Sequence, residues 1–365
     1  MPASRSGAER GWVTVAVAGL LAAIAAIAAL VVPHLTARAA HYEVDGTQIT
    51  GPDGKPFVPV GVNLLGPNGF FNRDAVTAGL ATTVRDRWGL NTVRLNSCLP
   101  IGCPYGQRNH HNDDLDALVR EYTRKGLVVV IALHQDEPGT WPSAPTLDAI
   151  DAWWRATAAR YKGNGRVWFN LLNEPGSDTP VPERWLQLHE RLLRTVRSTG
   201  ASNVVVVDGS QWGQESGDGG DGPVGERTSA ILRWGKQLRA VDSNVLFSFH
   251  VYDQWGQPEL SDEQRDQRLA DFVDRVHAAG LAVMIGETGG ADQPCCDPAS
   301  LGTAAAYRVA ARLGIGLIAW HGQAVDGQHL TVAKGRFSSM ADLGPGVEPD
   351  NLTWQGKLLW ELARR

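Results

Sequence analysis

Short apolar runs alternate along this chain with longer segments of mixed polarity, several of which end at a glycine. The runs are Val58–Asn63, Thr92–Asn96, Leu127–Leu133, Val167–Leu172, Val204–Val207, Val245–Phe249, Leu281–Ile285 and Ile315–Ala319. Uninterrupted apolar runs of this length predict strands buried on both faces. Between and after them the pattern predicts helices over Asp74–Trp88, Asp113–Lys125, Thr146–Tyr161, Pro182–Ser198, a segment ending at Leu238, Asp262–Ala279, Thr303–Arg312 and around Leu352–Ala363. Gly89, Gly126 and Gly200 stand at helix exits, where the left-handed conformation favours glycine. Eight strands, each followed by a helix, predict a (β/α)8 TIM barrel with enlarged loops. A doubly wound open sheet is the alternative. No Gly-x-Gly-x-x-Gly follows the first strand, which disfavours it. Ahead of the barrel, Tyr42–Ile49 and Pro56–Pro59 flank the turn signal Gly51-Pro52-Asp53-Gly54, predicting a hairpin that closes the barrel's lower end.

The first forty residues break the pattern. Arg5 and Arg10 precede Trp12–Val32, an uncharged stretch about long enough to span a bilayer as a helix. The chain therefore divides into a transmembrane or signal segment over 1–40 and one TIM-barrel domain over 41–365. Basic residues before the apolar run favour a cytoplasmic N-terminus, which puts the domain on the extracellular side of the membrane. Ala37-Arg38-Ala39 resembles a small-residue cleavage site, so a secreted form stays open.

Composition sharpens this. At 43% hydrophobic and 20% charged, the 365 residues are those of a globular protein. A net charge of −5 without a basic stripe speaks against a nucleic-acid partner. Four cysteines agree with an oxidising location. Cys98 and Cys103 could close a local loop, whereas a bond between the adjacent Cys295 and Cys296 is strained, and the three pairings stay open. Thirteen tryptophans are many for this length, and an indole face suits the apolar side of a sugar ring.

The strand ends carry the candidate chemistry. Asn-Glu-Pro-Gly stops the fourth strand abruptly, leaving Asn173 and Glu174 at its carboxyl end, and Glu287 ends the seventh. Arg94 lies on the second, His134 ends the third, His250 and Tyr252 follow the sixth, and Trp320 follows the eighth. A TIM barrel gathers these positions on one face. Two carboxylates converging there suit glycosidic cleavage, one protonating the leaving oxygen and the other attacking the anomeric carbon from about 5–5.5 Å away. Their pKa values must differ, so Arg94 and Tyr252 are expected beside Glu287, leaving Glu174 as the protonated partner.

Asn-Glu-Pro at a strand end, the Arg and His before it, His-x-Tyr, Ile-Gly-Glu and the late Trp together resemble glycoside hydrolase family 5, from about Tyr42 to the C-terminus. The resemblance implies a retaining TIM-barrel enzyme acting on a β-1,4-linked glucan or mannan, with Glu174 as acid/base and Glu287 as nucleophile. It also implies a supporting set of Arg94, His134, Asn173, His250, Tyr252 and Trp320, with Trp320 beneath the sugar at the cleavage site. Exo-acting or glycolipid-cleaving action within the family, and a catalytically silent carbohydrate-binding barrel, are the alternatives. Trp212 and Trp255, with Trp141, are expected as outer sugar platforms or else as packing. No cofactor is expected. His110-His111, Asp136-Glu137 and His321 lack the spacing of a metal centre, and Gly217–Gly222 resembles a calcium loop in composition alone.

Overall fold

The computed structural model describes residues 41–65, 80–99, 112–134, 138–216, 223–291, 297–322, 330 and 352–365. Trp12–Val32, residues 74–79 of the first expected helix, Cys103, Cys295, Cys296, His110-His111, Asp136-Glu137 and Gly217–Gly222 lie outside them. Among the described residues no helix is long and apolar enough to cross a membrane.

Two short strands, β1 (Glu43–Asp45) and β2 (Gln48–Thr50), pair antiparallel ahead of the barrel. The expected hairpin is therefore two turns rather than one. The extended run breaks at Gly46, whose positive φ suits a two-residue turn, and a second turn over Gly51–Gly54 brings Pro56 back against Thr50. The barrel strands are β3 (Val60–Leu65), β4 (Thr92–Ser97), β5 (Val128–Leu133), β6 (Val167–Asn170), β7 (Val205–Asp208), β8 (Val245–Val251), β9 (Val283–Thr288) and β10 (Gly316–Ala319). They pair in parallel and close in the order β10-β3-β4-β5-β6-β7-β8-β9.

Helices alternate with the strands. The first described turn is α1 (Leu80–Thr82), running into a π-helical turn over Thr83–Arg87. Then come α2 (Asn112–Arg124), α3 (Ala144–Tyr161), α4 (Arg184–Arg197), α5 (Ala230–Val241), α6 (Asp262–Ala278), α7 (Pro298–Leu313) and α8 (Trp354–Leu362). Their starts are chemically marked. Ser143, Ser229, Ser261, Asp297 and Thr353 each accept a backbone N–H of the first turn. Ser261 and Gln264 complete a reciprocal capping box.

Strand alternation sorts side chains into an outer and an inner layer. Val129, Ile131, Phe169, Val205, Val207, Phe247 and Ile285 face the helices and join the main core. The inner set begins apolar, with Val128, Val130, Trp168, Val204, Val206, Leu246, Met284 and Ile318. Tyr42 and Phe57 seal that end, their rings 5.4 and 5.9 Å from Trp168. The Tyr42 hydroxyl accepts from Arg166, and Asn244 accepts from the Val44 amide.

Strict alternation would send Glu287 outward with Val283 and Ile285. It does not. Phe249 pairs with Ile285 but His250 pairs with Glu287, so β9 bulges at Gly286 and the carboxylate turns inward. A Cβ at Gly286 would lie 2.1 Å from the Ser248 hydroxyl, so any larger residue would force that side chain to move.

Candidate active site

Above the apolar layers the barrel interior becomes polar. Arg94, fully buried on β4, organises it. Its guanidinium donates to Asn63 (2.9 Å), Asn170 (2.9 Å), Asn173 (2.7 Å), Asp208 (3.2 Å) and Glu287 Oε1 (2.5 Å). Those five acceptors match the five N–H groups of the side chain, so its burial leaves no donor unsatisfied. Glu287 is completed by the Tyr252 hydroxyl, which donates to Oε2 at 3.1 Å. Burial, and the negative charge of Glu287 beside it, push the Tyr252 pKa well above its usual value, so it stays a donor.

Glu174 follows β6 with φ of +50°, a conformation that costs a non-glycine residue roughly 1–3 kcal/mol. Neighbouring loops hold it there. The Gly139 amide donates to the Glu174 carbonyl, the Gly176 amide to Thr140, and the Trp212 amide to the Gly176 carbonyl. Glycine at 139 and 176 lets Trp212 and Trp141 pack directly against the backbone, where a Cβ would sit 2.3 and 2.2 Å from the indoles.

The two carboxylates lie in different surroundings. Burial raises the Glu174 pKa, with Glu287 and Asp208 adding to the rise while His250 opposes it. Glu287 is held by a guanidinium and a phenol. Oxygens of Glu174 and Glu287 and a ring nitrogen of His250 all fall within 4.8 Å of one another. At that spacing one carboxyl can attack while the other protonates, well short of the roughly 6.5–9.5 Å that an inverting pair keeps for its water. A metal could bridge the same three atoms only by displacing hydrogen bonds. His250 Nδ1 contacts Glu174 Oε1 at 2.6 Å, so that nitrogen is already engaged, while Nε2 faces Asp208 Oδ2 at 3.5 Å without completing a hydrogen bond.

His134 stacks on Trp320 with ring centroids 6.2 Å apart. Burial, with Arg94 and His250 nearby, drops its pKa well below 6.5, so it is neutral. The Trp320 carbonyl accepts from Gln355 of α8, which ties the terminal helix to this platform. Arg94, His134, Asn173, Glu174, His250, Tyr252, Glu287 and Trp320 are thus brought together as expected.

The outer tryptophans divide. Trp212 is 42% exposed beside Glu174. Trp141 is half-buried, bonded to Asp178 and covered by Arg184. Trp255 is corrected: at 1% exposure it packs on Phe249 and Phe272, with its N–H on the Gln214 carbonyl and Arg268 over its ring, so it belongs to the core. Cys98 is disulfide-bonded.

Sequence reasoning passed over Asn63, Asn170 and Asp208, which complete the Arg94 cluster. Each is a polar residue at the upper end of an apolar strand, the same signal that singled out Arg94 and His134. It also passed over Glu215. This buried carboxylate accepts from the amides of Ser210, Ala230 and Ile231 and from the Ser229 hydroxyl, tying the loop of Trp212 to the start of α5.

A closed parallel barrel whose carboxyl end holds a close carboxylate pair, an ionic hub and an aromatic platform defines a class of carbohydrate-active enzymes. Residues 51–325 match the family model described as Cellulase (glycosyl hydrolase family 5), and the chain belongs to that family. It is 25% identical over 264 residues to a mannan endo-1,4-beta-mannosidase of Cellvibrio japonicus, covering 71% of this chain and 54% of that one. The chain spans about half the length of several curated relatives it matches. The mannanase catalytic domain from Streptomyces sp. SirexAA-E superposes with a TM-score of 0.65 at 22% identity, covering 90% and 93% of the two chains. The catalytic domain of Thermobifida fusca endoglucanase Cel5A superposes at 0.67 and 18%, covering 90% and 98%.

Proposed function

We propose that this protein is a retaining endo-β-glycosidase that cleaves β-1,4-linked mannan by double displacement. The observation that carries the reading is the spacing of Glu174 and Glu287 oxygens within 4.8 Å, with the two carboxyls in contrasting surroundings. Glu287, aimed by Arg94 and Tyr252, attacks the anomeric carbon. Glu174, whose proton burial retains, protonates the departing oxygen and then activates water. Trp320 stacks beneath the sugar at the cleavage point, and Trp212 offers a face on the Glu174 side. The mannanases among the relatives favour mannan. The endoglucanase superposition favours β-1,4-glucan as the second reading.

We place the enzyme outside the membrane, held by Trp12–Val32. Tyr42, near the start of the described residues, packs at the lower end of the barrel, opposite the catalytic face. Mannohexaose and cellohexaose digests distinguish the substrates, and the anomeric configuration of nascent product by NMR tests retention. Inversion would end the double-displacement reading. With an activated aryl glycoside, azide should rescue Glu174→Ala and give a β-glycosyl azide, whereas Glu287→Ala should give the α product if any. Exchanged outcomes would reverse the roles.

A further inference from the structure

We infer that Asp208 is a positioning residue of the acid/base machinery: it fixes the His250 ring so that the catalytic proton is shared between His250 and Glu174. The inference rests on the double-displacement reading above for its chemistry, and on geometry for its existence. Asp208 ends β7 with its carboxylate fully buried under the site. Oδ1 accepts from Asn170 at 3.1 Å, while Oδ2 accepts from Arg94 at 3.2 Å and faces His250 Nε2 at 3.5 Å. Its carbonyl accepts from the Trp185 indole of α4 at 3.1 Å, so the backbone is held as well.

The consequence for the ring follows from valence. At 3.5 Å from Oδ2 the buried Nε2 completes no hydrogen bond, but an unprotonated nitrogen there would set its lone pair against a carboxylate, which places the proton on Nε2. Nδ1 is then left to meet Glu174 Oε1 at 2.6 Å across one further proton. That proton has two placements, on Glu174 with a neutral ring or on Nδ1 beside a carboxylate, and the total is the same in both. The acid is therefore the pair. Asp208 raises the proton affinity of both members, and His250 as a whole is pushed up to about 10, burial being outweighed by Glu287, Asp208 and the contact with Glu174. The charged and titratable groups facing the ring are Glu174, Asp208, Glu287 and Tyr252, with Arg94 and His134 across the barrel.

In the first step the shared proton moves to the glycosidic oxygen as the bond from the anomeric carbon breaks and its electron pair goes to that oxygen. Glu287 forms the new bond to carbon. The pair is left as a Glu174 carboxylate and a neutral His250 that keeps its proton on Nε2, directed at the Asp208 carboxylate. In the second step a water proton returns to the pair, the water oxygen bonds the carbon, and the Glu287–carbon electron pair returns to Glu287.

Asp208→Asn keeps the shape and the acceptor for Arg94 but removes the charge. The expected result on the full chain has three parts. A low-field imidazole N–H resonance, assigned by its loss in His250→Asn, disappears. Cleavage of mannohexaose, or of cellohexaose if that is the substrate, falls about 10–100-fold in kcat/KM, while a 2,4-dinitrophenyl glycoside, which needs no protonation, falls less than about threefold. The alkaline limb of kcat/KM moves to lower pH, because removing a neighbouring negative charge makes the pair a stronger acid. Equal losses on both substrates, an unmoved limb, or a persisting resonance would overturn the inference. Should the variant not fold, ¹⁵N-histidine spectra of the wild type decide. Nε2 of His250 must stay protonated from about pH 5 to 8, and an unprotonated Nε2 overturns it. If the wild type cleaves neither hexaose, the substrate reading fails while the spectra still test Asp208.

Discussion

The same eight strands build two opposite interiors. At the lower end Trp168, Val128, Val204, Leu246 and Met284 pack without a charge among them, under the rings of Tyr42 and Phe57. One or two pleats higher the inward positions become Asn170, Asp208, His250 and Glu287, gathered on Arg94. Trp168 and Asn170 are two residues apart on one strand, as are Val206 and Asp208. The lower end stabilises by removing apolar surface from water. The upper end spends part of that stability to keep charges buried and aimed, as electrostatic preorganisation requires. Function is concentrated where burial is least favourable, and the lower layers supply the rigidity that the aim depends on.

The widest separation between the two ends should come from one substitution at each. Glu287→Ala removes the group proposed to attack and should lower kcat by at least about 10⁴-fold, with the melting temperature moved by only a few degrees, because Arg94 keeps Asp208. Trp168→Ala should do the reverse, losing about 3–5 kcal/mol of stability through the cavity it opens. Its kcat at low temperature should fall far less than in the first variant. Urea denaturation and initial rates on the same preparations give both numbers. A Trp168→Ala enzyme as inactive as Glu287→Ala while still folded would show that the two ends are not separable.

A second test sets the acidic cluster against another buried carboxylate. Glu215 serves structure, not chemistry. Burial pushes its pKa up to about 7, against the hydroxyl and three amides that donate to it. A carboxyl whose folded pKa lies above its unfolded value contributes stability that is full below about pH 4.5 and lost as pH rises through 7. The difference corresponds to roughly 3 kcal/mol at about 1.36 kcal/mol per pKa unit. Glu215→Gln should therefore flatten the change in unfolding free energy between about pH 4.5 and 7.5 relative to wild type. Parallel curves for the two proteins would mean that the carboxyl is ionised throughout.

Much of the barrel was legible because buried parallel strands announce themselves as apolar runs. The polar residues closing those runs exposed Arg94, His134, Asn173 and Glu174 for the same reason. What escaped was local geometry. Gly286 in a strand is a weak signal for a bulge, and nothing in Val-Met-Ile-Gly-Glu says that the alternation flips there to turn Glu287 inward. Asp208 ends a strand of only four residues, where a carboxylate is as readily a turn residue. Trp255 stood after a strand among turn residues, like Trp212, yet Phe249 and Phe272 enclose one while the other is 42% exposed. Sequence gives no measure of that difference.

The smallest effect should come from the exposed aromatic at the rim. Gln211, Trp212 and Gly213 all have positive φ, a left-handed turn that two non-glycine residues adopt at a cost of roughly 1–2 kcal/mol each. The turn is held from both sides. Gln211 donates to the Asp178 carbonyl, and the His250 amide donates to the Gly213 carbonyl. Such a turn places the Trp212 ring over Gly139, 42% exposed, beside the side on which Glu174 would release the leaving sugar. If that ring stacks on a sugar, Trp212→Ala forfeits about 1 kcal/mol of contact, or about fivefold in affinity. The loss should fall on KM for hexasaccharides and spare short aryl glycosides that do not reach the ring. It should also leave the melting temperature unchanged or raised, since alanine removes an exposed apolar surface. An equal loss on short and long substrates would assign Trp212 to holding Glu174 through the Gly176 carbonyl instead of to the sugar, and would move the boundary between the two regions out to the rim.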